Sequence, residues 1–123
     1  MIPKYRAWST DKKIMAEVRT LRFTDELVET DKFVERSIEG VKLMQSTSLH
    51  DKNGKEIFEK DILDYNGRKV IVKWHGSYAC FVYEFVDELK NRTAEWQPLY
   101  LSYYKFEIIG NIYEIPELLE VTE

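Results

Sequence analysis

Hydrophobic and polar positions alternate most cleanly at residues 61–74. Asp61-Ile62-Leu63-Asp64-Tyr65 and Arg68 to Trp74 flank Asn66-Gly67. That pair favours a two-residue type I′ turn, whose central residues both need positive φ. Folding there sets Tyr65 opposite Arg68, Asp64 opposite Lys69, Leu63 opposite Val70 and Ile62 opposite Ile71. One face then carries Leu63, Tyr65, Val70, Val72 and Trp74. The other carries Ile62, Asp64, Lys69, Ile71 and Lys73, with Asp64 and Lys69 as an opposite-charge pair. A half-buried hairpin divides its side chains in this way.

The rest of the chain reads as further short strands. Tyr5-Arg6-Ala7-Trp8, a loop Ser9 to Lys13 and the return Ile14 to Val18 predict an N-terminal hairpin. Residues 24–42 are harder: Phe33, Val34, Ile38 and Val41 fit a loose helical face or two short strands. Irregular strands with one helical turn are expected there. Tyr78 to Val86 is apolar on both faces, which predicts an interior strand or an oligomer contact. Residues 87–99, DELKNRTAEWQPL, read as an exposed loop. Its Asn91-Arg92-Thr93 is a glycosylation triplet without a secretory context. A fourth strand is expected from Leu99 to Ile109, then a Gly110-Asn111 turn and a last helical turn opened by Pro116.

The stretch MQSTSLHDKNGKEIFEKDIL, residues 44–63, invites a sharper reading. As a calcium loop with Gly54 in sixth place, its first and twelfth ligands would be Leu49 and Lys60, and neither can serve. As a turn it works. Asp51-Lys52-Asn53-Gly54 supplies side-chain acceptors and a residue tolerant of positive φ, and Ile57 and Phe58 anchor the returning chain. Such a charged loop leading to an Asp-Ile strand also occurs in SH3-like small barrels.

Composition narrows the function classes. The 123 residues are 44% hydrophobic, 33% charged and 14% aromatic, which is a folded, strand-favouring balance. No apolar run is long enough to span a bilayer, and Met1 to Tyr5 has no signal-peptide core. Cys80 is the only cysteine, so no intrachain disulfide can form, and a buried thiol in a reducing cytoplasm is expected. The net charge of -4 disfavours bulk binding to nucleic acid. The charge is unevenly spread, however. Residues 1–22 hold six basic and two acidic side chains, and residues 23–39 hold the reverse. The two stretches are expected to be solvated or paired with each other, within one chain or between chains, in preference to forming a nucleic-acid site.

No catalytic set is assigned. His50 and His75 are the only histidines; Ser46, Ser48 and Ser77 lack a nucleophile-elbow context. Two His and one Cys at scattered positions do not make a zinc spacing, and five single glycines do not make a phosphate loop. Carboxylate pairs such as Asp61 with Asp64, or Glu114 with Glu117, read as surface chemistry. No cofactor or metal is expected. An enzyme would need His50 or His75 gathered with a carboxylate and Cys80 in one pocket.

Three segments in order, MIPKYRAWSTDKKIM, LMQSTSLHDKNGKEIFEKDIL and IIGNIYEIPELLE, resemble the YopX family of phage and prophage proteins over nearly the whole chain. Asn111-Ile112-Tyr113-Glu114 agrees well with the family pattern. Two positions depart from it: Ser48 and Lys60 stand where the family pattern has glycine. If either glycine has positive φ, the turn is strained here. The resemblance implies no activity, cofactor or site residue. It implies a phage accessory protein, made in the host cytoplasm and self-assembling.

The expected fold is mainly β with minor α. An N-terminal hairpin arm and irregular acidic segment occupy residues 1–43, and a small SH3-like β-barrel with a short C-terminal helical turn occupies residues 44–123. The expected role is non-enzymatic, with a second copy or a host or phage protein as partner and no membrane. Trp8, Trp74, Tyr83, Tyr100, Tyr103, Tyr104 and Phe106 are the candidate core or interface residues. The alternative is nucleic-acid binding by Lys4, Tyr5, Arg6, Lys12 and Lys13, or by Tyr100, Tyr103, Tyr104 and Lys105, with bases stacked on aromatics beside cations.

Overall fold

The computed structural model describes residues 4–89 and 95–120; the Asn91-Arg92-Thr93 triplet lies outside them. Among the described residues the strands in chain order are β1 Tyr5–Ser9, β2 Ile14–Arg22, β3 Leu27–Thr30, β4 Val34–Glu35, β5 Val41–His50, β6 Glu56–Phe58, β7 Asp61–Tyr65, β8 Arg68–His75, β9 Cys80–Phe85, β10 Trp96–Pro98 and β11 Glu107–Asn111. Helix is confined to short 3-10 turns among the described residues. The protein is mainly β, as expected, with two antiparallel sheets and no long helix among the described residues. The chain divides into two compact units, Met1–Ser46 and Thr47–Glu123.

In the first unit the strand order is β4-β3-β2-β1-β5. β1 pairs with β2 through Ala7↔Ala16 and Trp8↔Met15, and with β5 through Ala7↔Leu43. Alternation therefore sends Ala7, Ala16 and Val41 to one face, where Val28 and Phe33 complete a small core. Residues 24–42 form two strands and the 3-10 turn Ile38–Gly40, which is the expected irregular pattern. The buried Thr30 hydroxyl shapes this segment. It donates to the Phe33 carbonyl at 2.8 Å and accepts from the N–H of Phe33 at 2.8 Å and of Lys32 at 3.1 Å, which closes the turn between β3 and β4.

In the second unit the order is β10-β9-β8-β7-β11, and β6 lies beside β5. The β7–β8 hairpin has the expected register, Tyr65↔Arg68 through Ile62↔Ile71, and Asn66 and Gly67 take φ of 51° and 88°. Leu63, Val70, Val72 and Tyr83 face a core with Ile57, Leu99 and Phe106. The opposite face buries Ile62, Ile71 and Val86 against Leu89, Ile112 and Leu118. The doubly apolar strand, β9, is interior between β8 and β10. The sheets are not closed. In place of the small barrel expected over residues 44–123, the second unit has an open sheet with apolar clusters on both faces.

The strand expected over 99–109 is mostly replaced by the 3-10 turns Leu99–Leu101 and Tyr103–Lys105, with β11 beginning only at Glu107. The reason is spacing. Leu99, Tyr103 and Phe106 all turn to the core cluster, and steps of four and three are helical, not strand-like. Gly110 is not a turn residue but part of a bulge in β11 against β7. Its φ is 155°, and an added Cβ would meet Leu118 Cδ1 at 2.7 Å and Ile115 Cδ1 at 3.0 Å. Gly110→Ala is expected to cost about 1 kcal/mol, read as a lower denaturant midpoint. An unchanged midpoint would show that the bulge relaxes freely.

Candidate functional site

The stretch singled out in the sequence is a clasp built around one carboxylate. Asp51 is 5% exposed, in the turn between β5 and β6. Its Oδ1 accepts from the N–H of Asn53 and of Lys55, each at 2.9 Å. Its Oδ2 accepts from the N–H of Ile108, 57 residues on, also at 2.9 Å. The Lys52 N–H donates to the Phe106 carbonyl at 2.9 Å, and Lys52 Nζ stands 3.7 Å from a Glu107 oxygen. The loop is thus tied to β11, an edge of the second sheet. Burial alone would push the Asp51 carboxyl up. The three N–H groups and the nearby Lys55 charge outweigh it and hold the carboxyl below its ordinary value of 3.8.

Two further ties secure the same stretch. The Thr47 hydroxyl donates to the Ile57 carbonyl at 2.7 Å and accepts from the Leu49 N–H at 3.1 Å. Asp61 accepts from the Phe58 N–H at 2.8 Å. With its oxygens turned to backbone donors, Asp51 positions the loop. Among the described residues no three His, Cys, Asp or Glu side chains gather as a metal would require.

His50 is exposed at the end of β5. His75 and Cys80 are cross-strand neighbours, yet the buried His75 Nδ1 has no hydrogen-bond partner. Cys80 is half-buried and not in the core. Ser46 is buried, and Ser48 and Ser77 are exposed. Arg68 lies 3.7 Å over the Phe85 ring and grips Asp87 through two nitrogens, at 2.8 Å and 3.2 Å. That bond holds the Asp87 carboxyl down and pins the turn Val86–Glu88 beside β8.

The aromatic candidates separate into core and surface. Tyr83 and Phe106, grouped in the sequence with interface residues, belong to the core, and Tyr103 packs against it. Strand alternation for Tyr83 and helical spacing for Phe106 turn both inward. Trp8 is half-buried and already engaged in the first unit's strand β1 or beyond it. Trp74, Tyr100 and Tyr104 are exposed, as are Tyr78 and Leu101. Trp74 stands edge-on to Phe81 at 5.0 Å, and Phe81 precedes Val82, the partner of Pro98. Leu99 and Tyr100 therefore start beside this pair. A second cluster, His75 with Tyr78 and Trp96, was not legible in sequence.

The basic residues proposed for nucleic acid are largely engaged. Lys4 Nζ lies 3.9 Å from Glu17, and Arg6 Nε donates to Met44 Sδ at 3.4 Å. Lys12 sits 5.6 Å over the Phe33 ring, and Lys13 lies in the β1–β2 turn at φ 56°. Tyr5 is half-buried in β1, and its alternation with Arg6 places it on the core side of the sheet. Between the basic arm and the acidic stretch, Arg22 reaches Asp25 at 3.4 Å.

A family model described as YopX protein matches residues 4–120. The chain belongs to the YopX family. This YopX chain is 32% identical to protein EF1440 from Enterococcus faecalis, whose crystal structure superposes with a TM-score of 0.68 over 98% of this chain and 99% of that one. No curated protein matches it. Among the described residues of the YopX chain, no helix is long and apolar enough to cross a membrane.

Proposed function

We propose that this YopX chain is a non-enzymatic phage or prophage accessory protein of the host cytoplasm that works by protein contact, first of all with copies of itself. The observation that carries this is the set of exposed apolar side chains Trp74, Tyr100, Leu101 and Tyr104 in the second unit, between 47% and 59% exposed. An aromatic side chain can bury roughly 150–250 Å², so these four offer about 400–450 Å² per copy. Two copies meeting through them would bury roughly 850 Å², the size of a weak interface. The polar chemistry supports the same reading, because Asp51, Thr47, Asp61 and Arg68 are spent on backbone and loop geometry.

Light scattering at low and high salt tests it. The expected result is an oligomer whose mass is unchanged by salt and which dissociates in the variant Tyr100→Ser with Tyr104→Ser. A monomer at every concentration would sink self-association. The nucleic-acid reading would then be taken up through Lys4→Glu with Arg6→Glu, by loss of binding to a single-stranded oligonucleotide.

A further inference from the structure

His75 Nδ1 is the only buried side-chain nitrogen or oxygen without a hydrogen-bond partner among the described residues. A ring nitrogen shut away from water without a partner is unfavourable, so it calls for an explanation. Its surroundings are aromatic. The His75 ring lies 5.0 Å from Tyr78 at 66° and 4.7 Å from Trp96 at 51°, and Tyr78 lies 5.0 Å from Trp96 at 52°. Three near-equal distances and three angles near 60° are the walls of a triangular prism closed on itself.

Aromatic walls that receive a cation stand further apart, with the charge within about 6 Å of each ring centre. Of the three walls, His75 and Trp96 are on strands β8 and β10. Tyr78 is on the turn between β8 and β9, 66% exposed, followed by Ala79 at φ 50°. It is the one wall of the three that lies outside a strand. Glu84, the register partner of Trp96, supplies a carboxylate, presently 3.0 Å from Lys73 Nζ. The second unit as a whole holds nine basic and fourteen acidic side chains, which favours a cationic guest.

We propose that the His75–Tyr78–Trp96 cluster is a collapsed site for a guanidinium group, the side chain of an arginine presented by a partner protein. The guanidinium is planar, stacks on aromatic faces and carries only donors, so it matches the rings and, with the His75 proton on Nε2, the unpartnered Nδ1. A quaternary ammonium matches the rings but leaves Nδ1 unpaired. Opening moves Tyr78 outward, an N–H of the guest donates to His75 Nδ1, and Glu84 is shared between the guest and Lys73. This deepens the protein-contact reading and rests on it for the natural partner, but not for the site itself.

The test is an NMR titration of the full chain with N-acetylarginine amide and, separately, tetramethylammonium, following the Trp96 indole N–H and the His75 ring. The arginine probe is expected to shift both signals and to bind at least about tenfold more tightly than tetramethylammonium. His75→Phe keeps a ring and removes the acceptor. It is expected to erase that preference while raising Tm, because the orphan is gone. Tyr78→Ala changes only an exposed turn and is expected to weaken the arginine probe about threefold to fivefold. No shift with either probe, equal binding of the two, or an undiminished preference in His75→Phe would each overturn the assignment. Light scattering reports on self-association independently, so either idea can fail alone.

Discussion

Replacing Asp51 with alanine is expected to lower the stability of the second unit by about 3 kcal/mol, since three backbone N–H groups lose a charged acceptor at once. Asparagine is expected to recover only part of this, because its amide nitrogen cannot accept. The carboxyl's dependence on pH follows from its lowered pKa. Folded Asp51 titrates below its ordinary 3.8, so the stabilisation is fully present above that value and is lost as pH falls through the folded pKa. Acid unfolding of Asp51→Asn should therefore be less steep below about pH 4 than that of the wild type. Equal denaturant midpoints for Asp51→Ala and wild type would show that the clasp does not matter to stability.

Glycine at positions 48 and 60 is expected to stabilise the chain. Ser48 has φ 63° and Lys60 φ 69°, both in the left-handed region that side chains with a Cβ disfavour. These are the two positions at which the chain departs from the glycines of the family pattern. At Lys60 the conformation is enforced from both sides: its N–H donates to the Val72 carbonyl at 2.9 Å and its carbonyl accepts from the Ile112 N–H at 3.2 Å. Glycine keeps both bonds and removes the strain, less the extra entropy it adds to the unfolded chain. Ser48→Gly with Lys60→Gly should gain about 1–2 kcal/mol together, a rise of roughly 5 °C in Tm. A melting midpoint that stays put or falls would mean that these side chains make compensating contacts.

The elements legible in the sequence were those set by local chemistry. Asn66-Gly67 determined a turn, and the turn determined a register; Pro116 opened a helical turn where it was expected. Short elements were only partly legible: the return at Ile57 and Phe58 was expected from its turn, whereas β10 fell in a stretch read as a loop. β6 and β10 have three residues each, and their pairing with β5 and β9 leaves no mark in their own composition. Leu99, Tyr103 and Phe106 could be read as part of an apolar strand until their four-and-three spacing was weighed against alternation. The aromatic surface was half legible. Tyr100, Tyr104 and Trp74 were named, but burial of Tyr83 and Phe106 depends on what packs over them. His75 and Trp96 are 21 positions apart, and only the sheet joins them.

Each unit has the same plan, a run of adjacent hairpins and then one strand from far along the chain. β1 to β4 follow one another, and β5 returns to lie beside β1; β7 to β10 follow one another, and β11 returns to β7. The hairpins from β1 to β4 and from β7 to β9 close loops of two to four residues, which costs little chain entropy, whereas β11 must find Asp64 from Glu107. As the chain leaves the ribosome, β7 to β9 can meet before β11 exists. The docking of that last strand, which brings the Ile108 N–H to Asp51, is then expected to be the slow step of folding.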